Sequence, residues 1–92
     1  MCSALYNRSM NTEQIAADLA DVFPNHIVTL TPEGWVDIHV HPDTDFVRVV
    51  REDNVYRILT LTRSGVVRGE AALSGSTTGL LVAVVREILE AM

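Results

Sequence analysis

Leu80-Leu81-Val82-Ala83-Val84-Val85-Arg86-Glu87-Ile88-Leu89-Glu90-Ala91-Met92 closes the chain, and its reading decides the fold. At about 100° per residue on a helix, Val85, Ile88 and Met92 fall near Leu81. Val84 and Leu80 flank one side of that line, Leu89 and Val82 the other. Arg86, Glu87 and Glu90, with Ala83, hold the remaining arc. The apolar arc is about 200° wide, against the ~100° of an ordinary amphipathic helix. One sheet face does not need so wide an arc, so the excess has to meet a second helix of the same chain or a partner chain. Upstream, Ser74, Ser76 and Thr77 are good N-cap types, because a hydroxyl accepts from the unpaired first-turn amides. Gly75 and Gly79 lower helix propensity, which places the helix start near Thr77 or Thr78. Three valines in four positions are mediocre helix formers, so tertiary burial has to hold this segment.

The segments before it read as surfaces shaped to pack against such a helix. Asn11 or Thr12 can cap a first helix, and Glu13 suits its positive end. Ile15, Leu19, Val22 and Phe23 form its apolar stripe, bordered by Ala16 and Ala20, and Pro24 stops it. Five strands follow. His26–Thr31 and Trp35–His41 flank Pro32-Glu33-Gly34. Phe46–Arg51 and Val55–Thr62 flank Glu52-Asp53-Asn54. Val66–Leu73 follows Ser64-Gly65. Short connections make an antiparallel meander the economical topology. Strand parity collects Val47, Val49, Ile58, Thr60, Val67, Gly69 and Ala71 on a face under the helices. The opposite face collects Arg48, Val50, Arg57, Leu59, Leu61, Arg68 and Glu70. The expected architecture is two-layer α+β: a mostly antiparallel five-stranded meander sheet with the N- and C-terminal helices packed on one face. Residues 1–10 show no periodicity and read as a disordered N-terminal extension, residues 11–92 as a single domain. The chain shows no internal repeat and no low-complexity tract.

With 92 residues, one core is available. A hydrophobic content of 48% with 21% charged residues belongs to a folded globule, not a disordered chain. The longest apolar run, Leu80–Val85, is too short to span a bilayer, and the N-terminus has no signal-type apolar region. A lone cysteine, Cys2, permits no internal disulfide and suits a reducing cytoplasm. It falls in the extension and reads as inert rather than nucleophilic. The net charge is −5, and all seven basic residues are Arg. That bias is the mark of a GC-rich coding genome, of the actinobacterial or phage kind. Acids dominate from Asn11 to Asp45 and Arg from Phe46 to Glu70.

Two motifs carry chemistry. In Asp37-Ile38-His39-Val40-His41-Pro42 the two histidines stand at i and i+2 of a strand, so both imidazoles point one way and could grip a metal. The stretch resembles the first metal-binding strand of amidohydrolases and PHP-type phosphoesterases. The resemblance covers six residues, and no catalytic role follows from it, because those families draw further ligands from a large barrel. His26 could join His39 if the first hairpin paired Leu30 with Trp35. The second motif is a row of Arg48, Arg57 and Arg68 on one sheet face, suited to phosphates or to partner carboxylates. The order helix, strands, helix is similar to double-stranded-RNA-binding domains, but the last helix opens without a base, and an acidic chain lacks their electrostatic footprint. No nucleophile, phosphate loop or cofactor motif is present.

The reading that follows is a small non-enzymatic interaction module without cofactor or catalytic residues. It would be a homodimer or bind a protein partner, with neither nucleic acid nor membrane as target. The expected interface residues are Leu80, Val84 and Leu89 on the helix and Arg48, Arg57 and Arg68 on the sheet. Phosphate binding through the Arg face and metal binding through His39 and His41 are the alternatives.

Overall fold

The computed structural model describes residues 3–52, 55–74 and 78–92. The elements run α1 (Ser3–Val22), β1 (Ile27–Leu30), β2 (Val36–His39), β3 (Phe46–Glu52), β4 (Val55–Leu61), β5 (Val67–Ser74) and α2 (Thr78–Ala91). The strands form one sheet in the order β1-β2-β3-β4-β5, every neighbouring pair antiparallel. This is the expected five-stranded meander with a helix from each end of the chain. α2 starts where the glycines and hydroxyls place it. Its expected caps Ser76 and Thr77, the Asp53-Asn54 turn tip and Cys2 lie outside the described residues. α1 differs from expectation, because its backbone is already helical at Ser3, ahead of the proposed cap at Asn11 or Thr12.

Both helices pack on the same sheet face, and the periodicities explain why. Ile15, Leu19 and Phe23 recur every four residues on α1, and Leu81, Val85 and Leu89 do so on α2. Together with Val36, Ile38, Val47, Val49, Ile58 and Tyr56 they form a single core. Leu19, Ile38, Val47, Ile58, Leu81 and Val85 are wholly shielded from solvent. Each such side chain contributes about 1.5–3 kcal/mol by leaving water. Val22, assigned to the α1 stripe, instead lies at the helix end and is exposed. α1 lies over β1 and β2, and α2 over β3 and β4. β5 is left at the margin, with Val67, Arg68, Gly69 and Glu70 all exposed.

Two five-residue turns close the outer hairpins in the same way. In Thr31-Pro32-Glu33-Gly34-Trp35, Gly34 N donates to the Thr31 carbonyl at 2.9 Å and Thr31 N to the Trp35 carbonyl at 2.8 Å. Trp35 N also donates to Thr31 Oγ1 at 3.1 Å. Thr62-Arg63-Ser64-Gly65-Val66 repeats all three bonds, at 2.8, 2.8 and 3.1 Å. Gly34 and Gly65 take φ of 90° and 93°, the left-handed region that a side chain resists. The shared pattern Leu-Thr-x-x-Gly is thus a short internal repeat, contrary to the sequence reading, and it sits at opposite ends of the sheet.

Register corrects two further expectations. The three-residue loop pairs Leu30 with Val36 and Ile27 with His39, so His26 does not stand across from His39. Between β4 and β5 a bulge intervenes: Thr60 faces Gly69, but Leu61 faces Val67. The extra residue, Arg68, breaks the parity on which the Arg row was built, and Val67 moves to the face of Leu61, away from the helices.

Candidate functional site

The open sheet face is built from cross-strand rows. One row runs Ile27, His39, Phe46, Leu61 and Val67, and the next Thr29, Asp37, Arg48, Leu59 and Glu70. At the centre Arg48 makes a two-pronged pair with Asp37, Nε to Oδ1 at 2.8 Å and Nη2 to Oδ2 at 3.1 Å. The guanidinium lies 4.5 Å from the Trp35 ring centre and 5.4 Å from that of Phe46. His39 stacks on the Phe46 ring at 4.4 Å. This stack of rings and one guanidinium explains why Asp37, an acid on an uncovered face, is only 7% exposed. The Asp37 hydrogen bond holds the Arg48 pKa above its ordinary value, against a smaller lowering by burial.

The Arg row does not form a phosphate cradle. Arg48 is engaged by Asp37, and Arg57 bridges Glu52 at 2.8 Å and Glu70 at 2.5 Å. Arg68, displaced by the bulge, reaches Asp45 at 3.0 Å on the helix side of the sheet. Each of the three cations therefore already holds a carboxylate of its own chain. The histidines do not converge either. His39 packs on Phe46, His26 meets the edge of the Phe23 ring on the helix side, and His41 sits in the β2–β3 turn, its amide donating to Thr44 Oγ1. Among the described residues, no group of three or more His, Cys, Asp or Glu side chains could hold a metal ion.

The closing helix carries three of the residues expected at an interface, Leu80, Val84 and Leu89. Its orientation follows from two contacts. Arg86 lies over the ring of Phe23, the residue just past α1, at 5.9 Å, so that side faces the end of α1. Ile88, Leu89 and Ala91 line an open groove with Thr60, Arg68 and Gly69 and with Val40 and Asp45 beside the β2–β3 connection, so the C-terminal end of the helix stands over that end of β4 and β5. The groove holds about 940 Å³. With the core direction set by Leu81 and Val85, the positions from about 40° to about 120° round toward β5 are Ile88, Val84, Ala91 and Leu80, with Glu87 just beyond Leu80. These four are apolar, and Glu87 borders them on the outer side. Leu80 is 49% exposed and Met92 45%, while Val84 and Ile88 are half-buried. Leu89, grouped with Leu80 and Val84 in the sequence reading, is buried in the core and also lines the inner end of this groove. What sequence reasoning did not supply is the margin beside this flank. The sheet extends one strand beyond the helix layer; Ala71 and Leu73 of that strand are half-buried against the core, and its Gly69 end stands open to the groove.

No family model, curated protein or solved structure matches this chain. Among the described residues, no helix is long and apolar enough to cross a membrane.

Proposed function

We propose that the protein is a non-enzymatic interaction module that associates, with itself or with another protein, through the β5-facing flank of α2. The observation that carries this reading is the line of Leu80, Val84, Ile88 and Ala91 beside the open groove at the Gly69 end of β5. Two layers that bury one helix side completely leave another apolar side beside open solvent. Association removes that surface from water at about 25 cal/mol per Å². The Arg-face alternative draws no comparable support, because Arg48, Arg57 and Arg68 are neutralised within the chain. The metal alternative lacks a convergent donor set. A photo-crosslinking residue at Leu80, compared with one at exposed Arg63 in the β4–β5 turn, tests the module in its native cell. Adducts at position 80 and none at 63 are expected, whereas an uncrosslinked position 80 contradicts the reading.

A further inference from the structure

We infer that the occupant of this flank is a second copy of the chain, seated helix against helix. The two α2 helices run parallel about a two-fold axis that lies between them and along them, and each rests over β5 of the other copy. The inference rests on the module reading and names its partner. Three observations support it.

The first is spacing. α2 lies over β3 and β4. Strands stand about 4.8 Å apart, so β5 lies about 7 Å to the side of a helix centred between those two. Packed helices stand about 8–10 Å apart. A helix seated against Leu80, Val84, Ile88 and Ala91 therefore has to run above the outer margin of β5, where the Gly69 end stands open to the groove. Gly69 and Ala71, facing the helix side, leave it room to settle.

The second is symmetry, which requires the same flank to face back. A two-fold axis normal to the sheet fails. It would join the sheets edge to edge at β5 and hold the α2 helices about 19 Å apart, too far to touch. That edge is also guarded by its bulge, Arg68 and Glu70. An axis parallel to α2 succeeds. It turns the second copy over, so its sheet lies on the far side of the helices. Each α2 then sits between its own β3 and β4 below and β5 of the other copy above. The helices run parallel, and Leu80, Val84 and Ala91 each meet their own counterparts. No strand edges pair, and Ile27 at the opposite margin of each sheet stays clear.

The third is charge. In this seating the outer side of α2, with exposed Ala83 and Glu87, faces β5 of the other copy. Glu87 is level with Ile88, about 1.5 Å away along the axis, and Ile88 lines the groove together with Arg68. Glu87 of each copy therefore comes over Arg68 of the other. Among the described residues Glu87 holds no cation of its own chain. Arg68 is 64% exposed and gives Nη1 to Asp45, which leaves donors for a second carboxylate, just as Arg57 takes both Glu52 and Glu70. The contact occurs twice, once for each copy. Another protein would have to offer an apolar helix flank and an acid one turn apart at this spacing; this chain already carries both.

The size sets the strength. The 14 residues of α2 make a helix about 20 Å long and about 10 Å across. One side of it meets the other helix and another side meets the other sheet, so each copy contributes about 400 Å² in plan. The accessible area of a rough side-chain surface is larger, which places the pair near the lower end of specific interfaces, about 1,200 Å² in total. A dimer of that size assembles and dissociates with concentration.

Disulfide capture tests the seating. In a Cys2→Ser background, Leu80→Cys and Ala91→Cys mark the two ends of α2, and both positions are exposed. Parallel helices bring each cysteine within about 5–7 Å of its own counterpart, Cα to Cα, the reach of a disulfide. Helices antiparallel about their midpoint would hold 80 from 80, and 91 from 91, about 16 Å apart along the axis. Ala72→Cys, exposed on the opposite face of β5, is the control, roughly 20 Å or more from its counterpart. Unchanged circular dichroism and melting of the reduced variants verify each fold. Mild oxidation is expected to give disulfide dimers at both 80 and 91 and none at 72. A dimer in solution that forms no disulfide at either or both ends of α2, or forms as much at 72, overturns the parallel seating and leaves the module reading standing. A monomer up to about 200 µM overturns the second copy. Photo-crosslinks from position 80 to a different protein would then preserve the module, and their absence would remove both.

Discussion

Arg48 and Asp37 are held together by more than charge. The side chains are 23% and 11% exposed, so the pair is partly desolvated, and the ring of Trp35 covers the cation. Removing the cation alone strands a carboxylate with neither of its oxygens satisfied by Arg48. Arg48→Leu is expected to cost about 2–4 kcal/mol, and the double variant Asp37→Val with Arg48→Leu clearly less, because it leaves no unpaired charge. Thermal melting of both singles and the double closes the cycle. Singles that simply add would show that the two side chains are not coupled. The raised Arg48 pKa sets the sign of the pH dependence. Its contribution is complete below the ordinary arginine value and is lost only as pH rises through the still higher folded value. The coupling energy should therefore be the same at about pH 7 and about pH 10. A marked fall at the higher pH would contradict this protonation scheme. Arg68 illustrates the limit of reading single residues from parity: one extra residue in β5 moves it to the other side of the sheet and to Asp45.

At the scale of elements, the two Leu-Thr-x-x-Gly turns make independent, equal predictions. A Cβ on Gly34 or Gly65 would meet nothing within 4 Å, so the cost of substitution is backbone strain alone. Gly34→Ala and Gly65→Ala should each lose about 1–2 kcal/mol, additively, since the turns sit at opposite ends of the sheet. Denaturant titration of the singles and the double measures this, and a cost near zero at either site would remove the strain. Much at this scale was legible in the sequence. Strand parity put Val47, Val49 and Ile58 under the helices, helical spacing put Ile15, Leu19, Leu81 and Val85 on the apolar faces, and all of them are buried. Register was less legible. A three-residue loop with its glycine in the left-handed region shifts the first hairpin by one residue, which separates His26 from His39. A bulge leaves no mark in an apolar pattern, so Val67 and Arg68 were misplaced. The start of α1 was obscured because residues 3–10 lack the spacing that made residues 15–23 readable.

For the whole molecule, width decides. Five strands side by side span more than two helices cover, and the strand left over is the one with the smallest side chains, Gly69, Ala71 and Ala72. The same mismatch leaves the flank of α2 beside it open. The sequence reading found the excess apolar arc but could not say which way it faced. That depends on α1 lying toward Arg86. Nor could it show that the flank stands above a free edge. On this account Leu80→Glu, at an exposed helix position, should leave the fold and its melting nearly unchanged in the monomer while weakening association at least tenfold, or about 1.4 kcal/mol. Ile27→Glu, on the far edge, should leave association unaffected.

Sedimentation equilibrium of the wild-type chain over the micromolar range tests the central claim most directly. The account predicts a mass of twice the 10.1 kDa protomer at the upper concentrations, falling toward the protomer on dilution, and a shift of that transition to higher concentration for Leu80→Glu but not for Ile27→Glu. A wild-type mass of 10.1 kDa at every concentration, or a dimer indifferent to Leu80→Glu, would contradict it.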